Sequence, residues 1–227
     1  VKLITGSVTK AVHTFEAFRA SSRSNLVIAS NVYATQGKTL DISWLKAAAP
    51  TYEISSDIKD YVIPVVPIVT SDIPNRNLQG FTFKELSRYD WLKGHMVYQS
   101  FIGKMTTEDH VNEGPLCAKG VIFDASLHFV PKYNVWKVVL LCGYDRTKDP
   151  TLANDILKQK RNGHSMGAFV DEFKCSICGA NQCECGKGNI IKGKLAYHEC
   201  YGVNYIESSS VEAPADVTAE DSEVFGF

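Results

Sequence analysis

The chain has 227 residues, 44% apolar and 22% charged, which suits one globular domain or one domain with a small appendage. A formal net charge of −1 offers no global basic field for nucleic acid or anionic lipid. Apolar runs such as "VWKVVLLCGY" are too short to span a membrane, and the opening "VKLITGSVTK" lacks the basic and apolar regions of a secretory signal, so a cytosolic protein is expected.

Residues 19–25, "RASSRSN", read as a polar loop, followed by an apolar, β-branched run at 26–35. A second run, "YVIPVVPIVT" (61–70), carries two prolines, which predicts an edge strand or extended segment rather than a central strand. "SDIPNRNLQG" (71–80) is dense in turn formers and predicts an ordered loop. In "FTFKELSRYDWLKG" (81–94), Thr82 ahead of Glu85 signals a capping box and a short helix ending at Gly94. "MVYQSFIGK" (96–104) is strand-like. Two further strands are expected at 119–130 and 134–144, joined by a turn at Pro131–Asn134.

Asp149 before Pro150 predicts a capped helix over 149–163, ended by Gly163. "MGAFVDEFKC" and "YGVNYIESSSV" (201–211) alternate like strands, while the acidic stretch 217–227 reads as a mobile tail. The sum is an α+β domain with mostly antiparallel strands and few helices.

"NGHSMGA" (162–168) satisfies Gly-x-Ser-x-Gly, the nucleophile-elbow pattern, around Ser165. An elbow needs a buried strand before the serine and a helix after it. Here a polar helix end precedes Ser165 and a strand follows, so the elbow reading fails. Ser165 remains a candidate nucleophile of another type, at the start of a strand beside Gly163 and Gly167. The best candidate base is His110 in "TTEDHVNEG", flanked by Glu108, Asp109 and Glu113. His164 adjoins Ser165, but neighbouring strand side chains point to opposite faces, which makes it a poor base. His13, His95 and His128 read as structural.

Five of seven cysteines fall within residues 175–200, which in a reducing compartment indicates a metal site rather than disulfides. Cys175-x2-Cys178, Cys183-x-Cys185 and His198-x-Cys200 offer six donors, of which four complete a tetrahedral site. The expected set is Cys175 and Cys178 with Cys183 or Cys185, plus Cys200 or His198. Such a thiolate-rich shell suits structural zinc rather than zinc catalysis. Cys117 and Cys142 are expected in the core.

Four stretches in order resemble the prohead serine proteases of tailed bacteriophages, which share the herpesvirus assemblin-type fold. They are "IPNRNLQGFTFKEL", "FIGKMTTEDHVNEG", "AKGVIFDASL" followed by "GHSMGAFV", and "YIESSSVEAPAD", covering residues 70 to 216. The resemblance implies a single protease domain over 1–216, with residues 1–60 poorly assigned. Its expected core is an antiparallel, barrel-like, herpesvirus-protease-like sheet with flanking helices and a Cys-rich insertion at 175–200. It further implies His110 as general base and Ser165 as nucleophile, with the Gly167 and Ala168 amides as oxyanion donors. Glu207 is the first choice for third member, with Asp90 and Asp109 as alternatives. The implied substrates are scaffold and major capsid proteins, cut after Glu inside the immature head in the host cytoplasm. The chain itself is another expected substrate, at "TAE" (Thr218–Glu220). A homo-oligomer is compatible with this reading, and neither nucleic acid nor membrane is an expected partner.

Overall fold

The computed structural model describes residues 42–226, so the loop expected at 19–25, the run at 26–35 and His13 lie outside the described residues. After helix α1 (Leu45–Tyr52) come β1 (Tyr61–Thr70), the short β2 (Gln79–Gly80), the one-turn helix α2 (Phe83–Leu86), and a hairpin of β3 (Tyr89–Asp90) and β4 (His95–Met96). The chain continues through β5 (Met105–Glu108), β6 (Gly120–Val130), β7 (Val135–Cys142), β8 (Tyr144–Asp145) and helix α3 (Pro150–Leu157). Then follow β9 (Gly163–Phe169), β10 (Glu172–Cys175), the hairpin β11 (Ile190–Ile191) and β12 (Lys194–Leu195), β13 (His198–Tyr201), β14 (Asn204–Val211) and β15 (Glu223–Gly226).

The architecture is α+β with mostly antiparallel strands. The main sheet runs β15-β1-β7-β6-β5-β14-β9, with β8 also on β1, and a separate sheet runs β10-β13-β2. The β14/β5 pair within the main sheet is parallel. The expected barrel does not close. Among the described residues β9 and β15 do not pair; an isolated bridge joins Gly163 of β9 to Glu220, ahead of β15. Among the described residues no helix is long and apolar enough to cross a membrane.

Strand β1 corrects the edge-strand expectation and shows how its prolines are accommodated. It has β15 on one side and β7 on the other, and all ten residues are buried. Pro64 faces only β15, at Val224, whereas Pro67 faces only β7, at a register shift before Val69. Each proline therefore sits where one side of the strand is unpaired, a local edge that tolerates a residue without an N–H donor. Burial on both faces explains the continuous apolar run. Val62, Val66 and Ile68 join the main core with Ile122, Leu140 and α3 residues Leu152 and Ile156. Tyr61 and Ile63 pack on the other face against Val121, Phe123 and α1 residues Leu45 and Ala49. Each fully buried Val, Ile or Leu contributes about 1.5–3 kcal/mol.

The β6–β7 hairpin forms as expected, with Asn134 left-handed at its turn (φ 54°). Helix α3 starts as expected, Asp149 accepting the Leu152 N–H at 3.0 Å ahead of Pro150. It ends at Leu157 rather than Gly163, and Gln159 turns left-handed (φ 55°).

The helix expected through Gly94 stops at Leu86. Thr82 caps it by accepting the Glu85 N–H at 3.1 Å, but Glu85 turns to Arg88 and to the Val203 N–H instead of closing a capping box. Downstream, Asp90 accepts the N–H groups of Leu92 and Lys93 at 3.1 and 3.2 Å, a local turn that competes with helix. The strand expected at 96–104 is instead a tight 3-10 turn, Val97–Phe101, capped where Gln99 accepts the Met96 N–H at 2.9 Å. Phe101 lies in the core, stacked 3.9 Å from Tyr205.

Residues 217–226 are built into the fold rather than forming a mobile tail. β15 pairs with β1, and buried Thr218 donates to Asp216 at 2.6 Å while accepting from buried Lys137. Thr218 and Ala219 of "TAE" are 3% and 0% exposed, so cleavage there would require the segment to leave the sheet edge.

Candidate active site

Three neighbouring strands bring hydroxyls into one row. Ser165 on β9 is opposite Ser209 on β14, which is opposite Thr107 on β5. Directly paired residues share a sheet face, so all three side chains stand together. Glu207, two residues from Ser209, stands on that face too, opposite Gly167. A Cβ on Gly167 would come 2.5 Å from Glu207 Oε1, and one on Gly163 would come 2.6 Å from the Val211 carbonyl. Both glycines of the Gly-x-Ser-x-Gly pattern thus serve close approach within a sheet. Ser165 lies inside a strand, as the rejection of the elbow requires.

His110 returns to this face through two consecutive left-handed residues, Asp109 (φ 47°) and His110 (φ 60°). That conformation is costly for residues with a Cβ and is held by specific bonds. Asp109 N–H donates to the Ser210 carbonyl and His110 N–H to Ser209 Oγ, both at 3.0 Å. Arg161, just before β9, clamps the loop: it reaches Glu108 at 3.1 Å, Asp109 at 2.7 Å and the Ser210 carbonyl at 3.0 Å. His110 Nδ1 then lies 2.9 Å from Glu207 Oε1.

Glu207 is fully buried, 0% exposed, and its other oxygen accepts hydrogen bonds from Thr107 at 3.0 Å and Ser209 at 2.7 Å. The two hydroxyls also contact each other closely. The carboxylate is thereby oriented with one oxygen reserved for the imidazole. Its hydrogen bond raises the His110 pKa above the ordinary histidine value, outweighing the opposing effect of burial. Of the alternative acids, Asp109 is bound to Arg161, and Asp90 caps the β3–β4 turn.

Ser165, 9% exposed, and His110 line one cleft together with Met166 and with Asn75, Asn77 and Gln79 of the 71–80 loop. Ser165 Oγ makes no hydrogen bond to His110 among the described residues; such bonds commonly tighten only when substrate is present. Strand register revises the expected oxyanion donors. His164 N–H donates to the Ala219 carbonyl at 2.8 Å, away from β14. By alternation the Ser165 and Gly167 amides face β14, and the Met166 and Ala168 amides face the outer edge. Gly167 is thus committed to the ladder, whereas Met166 borders the cleft.

His164 is fully buried on the opposite side of the strand, 2.7 Å from Asp221 and 3.3 Å from the Tyr144 hydroxyl, as its rejection as base implied. His95 bonds Met96 and His128 bonds Ser126. Cys142 is buried, but Cys117 is not a core residue: it is partly exposed after a turn, 3.7 Å from Glu113.

The cysteine cluster is separate. The sulfurs of Cys175, Cys178, Cys183 and Cys185 all lie within 4.8 Å of one another. Gly179 (φ 73°) closes the first turn by donating to the Cys175 carbonyl at 2.8 Å, and Gly186 (φ 68°) follows the second pair. Backbone N–H groups of Cys178 and Ile177 pull the Cys175 thiol down to about 7. His198 and Cys200, the expected completing ligands, are outside the group. Cys200 is buried in the main core, and the His198 ring packs 5.7 Å from Phe173.

Ser209, Thr107 and Arg161 escaped the sequence reading. The Glu-x-Ser spacing of 207 and 209 is the signal that puts a carboxylate and a hydroxyl on one strand face; Thr107 and Arg161 are joined to it only by strand pairing. No protein-family model matches the chain, nor does any curated protein or solved structure.

Proposed function

We propose that the chain is a serine endopeptidase. The observation that carries this reading is the buried Glu207 carboxylate held by Thr107 and Ser209, with its free oxygen on His110 Nδ1 at 2.9 Å, in the cleft that contains Ser165. Glu207 keeps the His110 proton on Nδ1, leaving Nε2 to accept the Ser165 hydroxyl proton as Oγ attacks a peptide carbonyl. The imidazolium then protonates the leaving amine, and water, deprotonated by His110, releases the acyl-enzyme. Met166 N–H is the strand amide best directed to stabilise the oxyanion.

The resemblance of the Asn75-Arg76-Asn77 loop, the His110 loop, the Ser165 strand and the Glu207 strand to prohead proteases extends the proposal to a herpesvirus-protease-like fold. It also extends it to substrates: scaffold and capsid proteins of a phage prohead, cut in the host cytoplasm. Zinc, or another thiophilic divalent cation, is the proposed structural ion of the four cysteines. A tetrahedral shell with bonds of about 2.3 Å puts sulfurs roughly 3.8 Å apart, which the clustered thiols meet by small rotations. Such an ion would pin the insertion, leaving no open position for catalysis.

Incubating scaffold and capsid proteins with wild-type and Ser165→Ala protein tests the reading. Cleavage by wild type alone is the expected result. Cleavage by both would defeat it, and cleavage by neither would favour the alternative, an inactive relative acting as a zinc-knuckle interaction protein.

A further inference from the structure

The cysteine module and the cleft are joined by a short mechanical path. β2 itself pairs with β13, which pairs in turn with β10, while the flanking residues are tied to the rest of the fold by the Ser71–Phe81 bridge and by Arg76 donating to the Ala215 and Pro214 carbonyls. The registers are Gln79 to His198 and Gly80 to Glu199 on one side, and Cys175 to His198 on the other. His198 N–H also donates to the Leu78 carbonyl at 3.0 Å. Ser176, inside the first Cys-x2-Cys turn, donates its N–H to the Tyr197 carbonyl at 2.9 Å, and its hydroxyl accepts the Tyr197 N–H at 3.0 Å. The Tyr197 ring covers Gly80 so closely that a Cβ there would meet it at 2.5 Å. Thus Ser176, between the first two cysteines, grips the tyrosine that packs on β2, and β2 ends the loop whose Asn75, Asn77 and Gln79 line the cleft.

We propose that a thiophilic divalent cation at Cys175, Cys178, Cys183 and Cys185 orders the cleft wall formed by residues 75–81, making metal loading a control on substrate binding. A two-residue strand has little stability of its own and takes its order from its neighbour. A thiolate-bound ion supplies folding free energy to the segment that carries its ligands. That free energy reaches the wall through Ser176, Tyr197 and β13, while the His110–Glu207 pair rests on β5 and β14 in the main sheet. Loss of the ion raises KM and leaves the Ser165 machinery assembled. The identity of the cleft as a peptide site rests on the protease reading above; the dependence of wall order on metal does not.

The test uses the full chain with zinc as the probe, stripped by chelation and reloaded, and followed by native mass and hydrogen exchange. One equivalent of zinc is expected to bind. Stripping is expected to speed exchange at 75–81 and 198–201 by at least tenfold, with β7 at 136–141 unchanged. Cys178→Ser should mimic stripping. Tyr197→Ala should keep the ion yet lose protection at 75–81, which separates the path from general unfolding. Failure to bind zinc, or zinc release with unchanged exchange at 75–81, overturns the proposal. Because exchange is read without turnover, an inactive protein would defeat the protease reading and leave this test intact. In an active protein, stripping should raise KM several-fold at nearly constant kcat; a loss confined to kcat would contradict control through the wall.

Discussion

The cleft and the cysteine module are built on opposite plans. The cleft assembles groups far apart in sequence, His110 and Glu207 being separated by 97 positions, and holds them through strand register and buried hydrogen bonds. The module gathers four thiols within one short segment, with left-handed glycines at its turns and little apolar core beneath it. The first depends on the tertiary fold for its precision, the second on local turns and, in the reading proposed above, on an ion for its order. Perturbations should therefore separate: changes to the main sheet strike the chemistry, and metal removal strikes the wall.

The largest effect should come from breaking the cleft at its buried acid. Glu207→Ala removes the group that fixes the His110 tautomer, and kcat/KM should fall about 10⁴-fold, or roughly 5.5 kcal/mol of transition-state stabilisation, in peptide-cleavage kinetics. A loss under tenfold would show that His110 is oriented by something else. The same contact sets a pH signature. His110 must be neutral to act as base, and the Glu207 bond raises its pKa, so the rate should climb with pH through an inflection above about 6.5. The linked stability has the opposite direction: the protonated pair favours the folded state below that value, and this contribution disappears as pH rises through the raised pKa.

Next in size is the network that locks the C-terminal segment alongside the cleft, which Thr70 and Asp216 help to line. Lys137 is fully buried, donating to Thr70 at 2.6 Å and Asp216 at 3.1 Å, and also to Thr218. Lys137→Met leaves the Asp216 carboxylate without its cation and should cost about 3–5 kcal/mol in denaturant unfolding. Equal losses with and without zinc would support the division between the two regions.

Gly167→Ala is a finer probe of register. The new methyl would occupy space beside the Glu207 oxygen that holds His110, displacing it enough to cost about 10²-fold in kcat while the fold remains intact. Smaller again is Arg161→Ala, which frees the left-handed Asp109–His110 turn. A roughly tenfold fall in kcat at unchanged KM is expected, with little recovery in Arg161→Lys because one ammonium cannot reproduce the fork spanning Glu108, Asp109 and Ser210. Full rescue by lysine would reduce the clamp to a charge effect.

The same contrast governs what was legible in sequence. The β6–β7 hairpin and the start of α3 were readable because alternation, capping and turn chemistry are local signals. The cysteine cluster was readable for the same reason, yet its ligand set was not: Cys200 is close in sequence but belongs to the core face of β13. Local signals also misled where tertiary partners intervened. Glu85 left its expected capping box for Arg88 and Val203, and the acidic C-terminal residues found β1. The juxtaposition of His110, Glu207, Ser209 and Thr107 follows from the parallel β5/β14 pairing, which no local pattern encodes; Glu207 was reachable only through the resemblance of its strand.

The central claim is that Ser165 is a nucleophile activated by His110, and covalent trapping tests it most directly. A fluorophosphonate should add one phosphonyl group, located on Ser165 by peptide mass. The labelling rate should rise with pH through the His110 inflection and collapse in His110→Ala and Glu207→Ala proteins. Labelling of Ser165 that ignores both substitutions, or no labelling of folded protein at any pH, would contradict the account.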